Sequence, residues 1–303
     1  MSQINANGLT LEYEVAGAPD DPTLLLIMGL GAQLVRWNPI LVGKLVDAGL
    51  RVIRFDNRDV GLSEKCEAAG LPDMPAIVAA LTAGATPLAA YTLSDMAADA
   101  VGLLDALGIE RAHIVGASMG GMIAQLVAAD YPDRTLSLTS IFSTSGHPSL
   151  PRATPEAMAV INERGPDPAR DLDGYLDHAV RGAKTIGSPA YPIPDAELRA
   201  NALSYYQRCY YPAGFARQYA AVVASGERRA KLATITAPTV VIHGEDDPLV
   251  PVSGGRDTAE HIASAELRVI PGMGHDIPPA LYDEIVSGIL RAVYRANQRD
   301  KAA

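Results

Sequence analysis

Gly116-Ala117-Ser118-Met119-Gly120 places a serine with a glycine two residues away on either side, and it is the segment with the clearest chemical content. A serine hydroxyl is a poor nucleophile at neutral pH, so acyl transfer to it requires a histidine base and a carboxylate that orients the histidine. The pentapeptide alone is weak evidence, because at about 7% each for Gly and Ser it arises by chance in about one chain of this length in ten. Its setting says more. Ala112-His113-Ile114-Val115 reads as a short apolar strand, and a helix from Ser118 to about Asp130 ends before Pro132. In so tight a strand-to-helix turn, side chains at 116 and 120 would strike the neighbouring strand and helix. A second serine, in Gly61-Leu62-Ser63-Glu64-Lys65, lacks the second glycine and this setting, and serves as a negative control.

The partners should follow in the order acid, then base. His243-Gly244-Glu245-Asp246-Asp247-Pro248 comes just after the apolar run Thr239-Val240-Val241-Ile242 and offers three carboxylates. Pro271-Gly272-Met273-Gly274-His275 comes just after Leu267-Arg268-Val269-Ile270. The other histidines have simpler explanations. His113 lies inside an apolar strand, His243 precedes the acid loop, His261 lies on a surface helix, and His147 and His178 fall in a proline-rich stretch where exposure is expected.

These residues need a scaffold. Leu9, Leu11, Tyr13 and Val15 alternate as in a half-buried antiparallel strand, whereas Leu24-Leu25-Leu26-Ile27-Met28 and Val52-Ile53-Arg54-Phe55 are compact runs suited to strands covered on both faces. Trp37 to Leu50 reads as a helix stopping near Gly49. From Thr92, apolar residues recur at helical spacing, with Thr92 and Asp95 placed as a capping box and Gly108 near the stop. With a further strand over Leu136 to Phe142, strands alternate with helices, the pattern of an α/β protein with a parallel sheet. Residues 143–233 break that rhythm: they are rich in proline and carry Tyr205, Tyr206, Tyr210 and Tyr211. About 90 residues is too long for a plain loop, so an inserted, mainly helical cap is expected, with the core formed by 1–142 and 234–303.

With these motifs in place, the chain resembles the α/β-hydrolases, and over nearly its whole length the capped esterases typified by aclacinomycin methylesterase. Met28-Gly29-Leu30-Gly31 and Asp56-Asn57-Arg58-Asp59-Val60-Gly61-Leu62-Ser63 carry the resemblance together with the three loops above. It implies an α/β-hydrolase fold: a mostly parallel central sheet flanked by helices, with an inserted, mainly helical cap. It implies Ser118 as nucleophile, His275 as base and Asp247 as acid, with Asp246 the alternative. It also implies backbone N–H groups of Leu30 and Met119 as the oxyanion hole. Met28 stands where that family often has histidine, a departure that a backbone donor tolerates. Asp56-Asn57-Arg58-Asp59 is expected to form local salt bridges and hydrogen bonds beside the pocket.

Composition narrows the classes. With 303 residues, 48% apolar and 20% charged, the chain can bury a full core. A net charge of −10 without Lys/Arg clusters argues against nucleic acid. Cys66 and Cys209 suggest neither a disulfide framework nor a zinc site. The expected location is cytoplasmic, since the N-terminus lacks a signal-peptide pattern and no apolar run reaches spanning length. Gly29-Leu30-Gly31 is followed by Leu34 where a dinucleotide motif needs glycine, and neither an ATP loop nor a His-Glu-x-x-His pair occurs. No cofactor or metal is expected. The resulting expectation is a carboxylesterase acting on a neutral, moderately hydrophobic small-molecule ester, with Tyr205, Tyr206, Tyr210, Tyr211, Trp37 and Met119 as pocket or core residues. Two rivals stand beside it: the same triad cleaving a lactone, thioester, C–C or perhydrolysis substrate, and a non-catalytic ligand-binding protein on the same fold.

Overall fold

The computed structural model describes the backbone of residues 2–302 and the side chains of residues 2–299. Among the described residues, eight strands form one sheet: β1 (Ser2–Ala6), β2 (Leu9–Ala16), β3 (Thr23–Ile27), β4 (Arg51–Phe55), β5 (Ala112–Ala117), β6 (Thr135–Ile141), β7 (Thr239–Gly244) and β8 (Ala265–Ile270). Their spatial order is β1-β2-β4-β3-β5-β6-β7-β8. β2 runs antiparallel to both its neighbours, and the strands from β4 to β8 are mutually parallel. β1 is an element that the hydrophobic pattern does not predict. Its signal is Asn7-Gly8, whose φ angles of 51° and 78° suit the tight turn that closes a two-residue hairpin.

Between β3 and β4 lies α1 (Pro39–Asp47), and between β4 and β5 lie α2 (Met74–Thr82) and α3 (Leu93–Ala106). α4 (Met119–Asp130) joins β5 to β6, α10 (Val252–Glu260) joins β7 to β8, and α11 (Tyr282–Ala302) follows β8. The helix expected from Trp37 begins at Pro39 instead. Asn38 caps it by accepting from Ile40 N at 2.9 Å, with proline at the first helical position, while Leu34–Arg36 form a separate 3₁₀ turn. The capping box of α3 is present: Asp95 N donates to Thr92 Oγ1 at 3.3 Å and Thr92 N to Asp95 Oδ2 at 2.7 Å.

Alternate residues of the central strands serve two cores. Leu25, Ile27, Ile53 and Ile114 pack with α3 and α4, whereas Leu24, Leu26, Val52 and Ile242 pack with α1 and α11. A sheet buried on both faces explains why these strands are apolar runs rather than alternating ones.

Between β6 and β7 come α5 (Pro155–Asn162), α6 (Leu172–Ile186), α7 (Asp195–Arg208), α8 (Pro212–Ala224) and the single turn α9 (Arg229–Leu232). Two buried ion pairs tie this stretch to the loop after β4. Arg208 Nη1 lies 2.8 Å from Asp56 Oδ2, and Arg217 Nη2 lies 2.7 Å from Asp59 Oδ1. Asp59 also accepts from Tyr91 Oη at 2.7 Å and Cys66 N at 2.8 Å. Burial pushes the Asp59 carboxyl up, but the Arg217, Tyr91 and Cys66 donors outweigh it and hold the group below the usual carboxylate range. The charges of 56–59 make the local hydrogen bonds expected of them, from Leu62 N to Asp56 and from Cys66 N to Asp59, but their ion-pair partners are not local. Arg58 pairs with Asp99 at 2.6 Å, and the two aspartates meet arginines of α7 and α8.

Removing one partner of such a pair strands a charge in the interior. Arg217→Met is expected to destabilise the protein by about 3–5 kcal/mol, read as a lower urea midpoint at unchanged slope.

Candidate active site

The loops that follow β3, β5, β7 and β8 meet at the C-terminal edge of the parallel strands, where open α/β sheets bind ligands. The chain passes from β3 outward to β4 and then returns to β5 on the other side of β3. The strand order thus reverses between β3 and β5, and the turns that carry Leu30 and Ser118 follow these two strands side by side.

Ser118 has φ 57° and ψ −122°, a conformation that costs a non-glycine residue about 1–3 kcal/mol. Close packing enforces it. A Cβ on Gly116 would stand 2.0 Å from Gly120 O, and one on Gly120 would stand 2.1 Å from Ile27 O. Ser118 N donates to Ile141 O at 2.9 Å, and Ser118 O accepts from Gly121 N and Met122 N as α4 begins. Ser118 remains half-buried while its neighbours are buried. Ser63, by contrast, is buried between Glu12 N and Asp56 O.

The His275 ring bridges the serine and an aspartate. Its Nε2 lies 3.0 Å from Ser118 Oγ and its Nδ1 lies 2.7 Å from Asp247 Oδ2. A carboxylate only accepts, so Nδ1 carries the proton and Nε2 is left to accept from the serine hydroxyl. Asp247 Oδ1 accepts from Leu249 N at 2.9 Å and Val250 N at 2.8 Å, so both its oxygens are fixed. Asp246 Oδ2 instead accepts from Gly272 N at 3.0 Å, and Glu245 is exposed. Of the three carboxylates in this loop, the one that meets His275 is that of Asp247.

His243 buttresses the acid loop. Its Nε2 donates to Val250 O at 2.7 Å and lies 3.7 Å from Asp247 Oδ2. Burial pushes its pKa below the ordinary imidazole value against the pull of the Val250 carbonyl and Asp247. The unfolded chain thus binds a proton near pH 6.5 that the folded chain resists, and stability falls as pH falls below about 6.5. The contribution is at most about 1.4 kcal/mol per pH unit. Urea unfolding at about pH 7.5 and about pH 5.5 should show a shallower loss for His243→Gln than for the parent.

The turn Gly29-Leu30-Gly31-Ala32 is closed by Ala32 N donating to Gly29 O at 3.2 Å, with Gly31 at φ +64° in its third position, as in a type II turn. Gly31 N donates to Gln218 Oε1 at 2.8 Å, so Leu30 N–H is the remaining amide within the turn. A Cβ on Gly29 would stand 3.0 Å from Ser118 Cβ, which measures how closely this turn approaches the serine. Met119 N–H, in the first turn of α4, has no acceptor within its own helix.

Several neighbours carried no signal in the sequence. His275 N donates to Ile186 O at 2.7 Å and Gly274 N donates to Ser188 Oγ at 2.9 Å, so the end of α6 and the residues just after it strap the histidine loop. Phe142, at φ 35°, tilts its ring against His275 with centroids 4.6 Å apart. The aromatics singled out from the sequence make structural contacts. Trp37 lies in the core, Tyr206 and Tyr210 pack with Tyr175, and Tyr211 Oη accepts from Arg217. A cleft of about 640 Å³ beside the histidine loop is lined by Ser188, Pro192, Leu198, Asp246, Pro248 and Asp276; Ser118 does not line it. Among the described residues, no three His, Cys, Asp or Glu side chains gather as a metal site, and no helix is long and apolar enough to cross a membrane.

A strained serine at a strand-to-helix turn, on a parallel sheet of this order, defines a class. Residues 22–278 match the family of the alpha/beta hydrolase fold, and the chain belongs to that family. It is 28% identical to rhodomycin D methylesterase DnrP of Streptomyces peucetius over 313 residues, covering 94% of this chain and 95% of that protein. It is 31% identical to the putative carbamate hydrolase RutD of Variovorax paradoxus over 277 residues, covering 88% and 90%. In fold it is similar to the enol-lactonase from Burkholderia xenovorans LB400, with a TM-score of 0.72, 21% identity, and coverage of 97% of this chain and 100% of that one. The protein is thus a hydrolase of the alpha/beta hydrolase fold.

Proposed function

We propose that the protein is a serine carboxylesterase in which Ser118, His275 and Asp247 form the catalytic triad and the N–H groups of Leu30 and Met119 form the oxyanion hole. The observation that carries this reading is the hydrogen-bond chain from Asp247 Oδ2 to His275 at 2.7 Å and from His275 to Ser118 Oγ at 3.0 Å. Ser118 Oγ adds to the ester carbonyl as its proton passes to His275 Nε2, and Asp247 stabilises the imidazolium. The oxyanion draws on Leu30 and Met119 N–H, each such donor contributing about 10²–10³ in rate. Collapse expels the alcohol with the proton from His275, leaving an acyl-enzyme. Water, deprotonated by His275, then adds to the acyl carbonyl, and collapse returns the serine and releases the acid.

Residues 143–233 act in this reading as the cap that selects the substrate over a core formed by 1–142 and 234–303. A methylesterase relative favours methyl esters of bulky acids, while carbamate-hydrolase and 3-oxoadipate enol-lactonase relatives, the latter 26% identical, favour related acyl groups as a second reading. A panel of p-nitrophenyl esters of rising chain length, methyl esters of bulky aromatic acids, a carbamate and an enol-lactone discriminates them. Turnover confined to the carbamate or the lactone would replace the carboxylesterase assignment. No turnover together with no fluorophosphonate labelling of Ser118 would point to a ligand-binding protein.

A further inference from the structure

Gln218 sits on α8, in the helical insertion, yet its amide is spent on the catalytic core. It is fully buried. Its Oε1 accepts from Gly31 N at 2.8 Å, and its Nε2 donates to Arg58 O at 2.7 Å. The amide therefore spans the turn after β3 and the loop after β4, with both of its ends committed. Within the turn the Gly29 to Ala32 hydrogen bond leaves two amides unused, those of Leu30 and Gly31. Gln218 takes the second. A ring carbon of Phe215, one helical turn earlier on α8, lies 2.6 Å from where a Cβ on Gly31 would be, so the same helix also presses on the turn from outside. A second strut lies two residues on: Gln33 Nε2 donates to Tyr205 O at 2.8 Å and Cys209 O at 3.0 Å, and Gln33 Oε1 accepts from Arg208 at 2.7 Å.

We propose that Gln218 is a positioning residue for the oxyanion hole: by holding Gly31 N–H it fixes the Leu30–Gly31 peptide, and together with the bond from Ala32 N to Gly29 O this sets the orientation of the adjoining Gly29–Leu30 peptide, which carries Leu30 N–H. The inference rests on the assignment of Leu30 N–H as an oxyanion donor. An apolar side chain at 218 leaves Gly31 N–H and Arg58 O unpaired in a buried place, and the turn relieves this by rotating its peptide units. Because the oxyanion exists only after attack, misaiming its donor lowers kcat and leaves ground-state binding nearly intact.

Gln218→Met, close in size and shape, should lower kcat by about 10–100-fold, short of the about 10²–10³ for complete loss of a donor, with KM changed by less than about twofold. A trifluoromethyl ketone matched to the best ester, which binds Ser118 as an oxyanion, should weaken by the same factor as kcat/KM. Gln218→Glu, whose buried carboxyl in its protonated form accepts from Gly31 N–H and donates to Arg58 O, should recover most of the loss. If the methionine variant does not fold, Gln218→Asn, whose amide is too short to reach Gly31, takes its place with the same expected result. Wild-type kcat in the folded variant, or a loss of kcat without weaker ketone binding, overturns the role of Gln218. Failure of fluorophosphonate to label Ser118 in the parent protein would instead remove the esterase reading beneath it.

Discussion

Ser118→Ala is expected to lower kcat for its best ester by about 10⁴–10⁶-fold while the unfolding midpoint stays close to that of the parent. The two halves of this result have separate causes. In the proposed mechanism the hydroxyl oxygen forms the acyl bond, and among the described residues no other nucleophile stands at the end of the Asp247 to His275 chain. The fold does not depend on it, because the turn at 118 is enforced by glycines at 116 and 120 and by the backbone bond from Ser118 N to Ile141 O. Methyl-ester or p-nitrophenyl-ester hydrolysis at the parent rate in this variant would end the proposed mechanism. The residual rate has its own value, since it measures what the oxyanion hole contributes without the nucleophile.

Asp247→Asn should cost about 10³–10⁴ in kcat. The asparagine oxygen can still accept from Leu249 N and Val250 N, which turns its NH₂ toward His275. Facing a donor, Nδ1 must accept, so the ring proton moves to Nε2. That nitrogen then cannot take the serine proton. Asp246→Asn is the matched control. Its carboxylate accepts from Gly272 N at the loop surface, and kcat should stay within about twofold of the parent. Equal losses in the two variants would show that the loop, and not the tautomer, governs the rate.

What could be read from the sequence was what short stretches dictate. Gly116 and Gly120 report a local steric demand, Thr92 with Asp95 a cap that closes within four residues, and the apolar runs a sheet covered on both faces. The site was legible to the same depth. Ser118 and His275 sit in glycine-framed loops just past strands, but three adjacent carboxylates at 245–247 differ only in where each points, and the residues themselves do not encode that. What stayed hidden depends on tertiary adjacency. The bond from Gly31 to Gln218 crosses 187 positions, and Ser188 meets Gly274 across 86. The turn 56–59 shows the same limit, since alternating charges look self-satisfying until the arginines of α7 and α8 arrive. β1 was missed for a simpler reason: Ser2–Ala6 is largely exposed, so its strand state comes from pairing with β2 and not from burial.

The paired aspartates of that turn bear on which part of the proposed cap can move. Swinging α8 away from the sheet would send Arg217 and Asp59 into water separately and break the Gln218 bonds together with them. At that end α8 is pinned to the loops after β3 and β4. α5 and the first turns of α6 are held differently, with Ala157 and Leu176 as their buried apolar side chains and exposed pairs such as Arg199 with Asp173 joining α6 to α7. Such pairs cost little to open. In the proposed reading of residues 143–233 as a cap, the side of α5 and early α6 is the part that opens at least cost, and substitutions there should change substrate preference more than kcat.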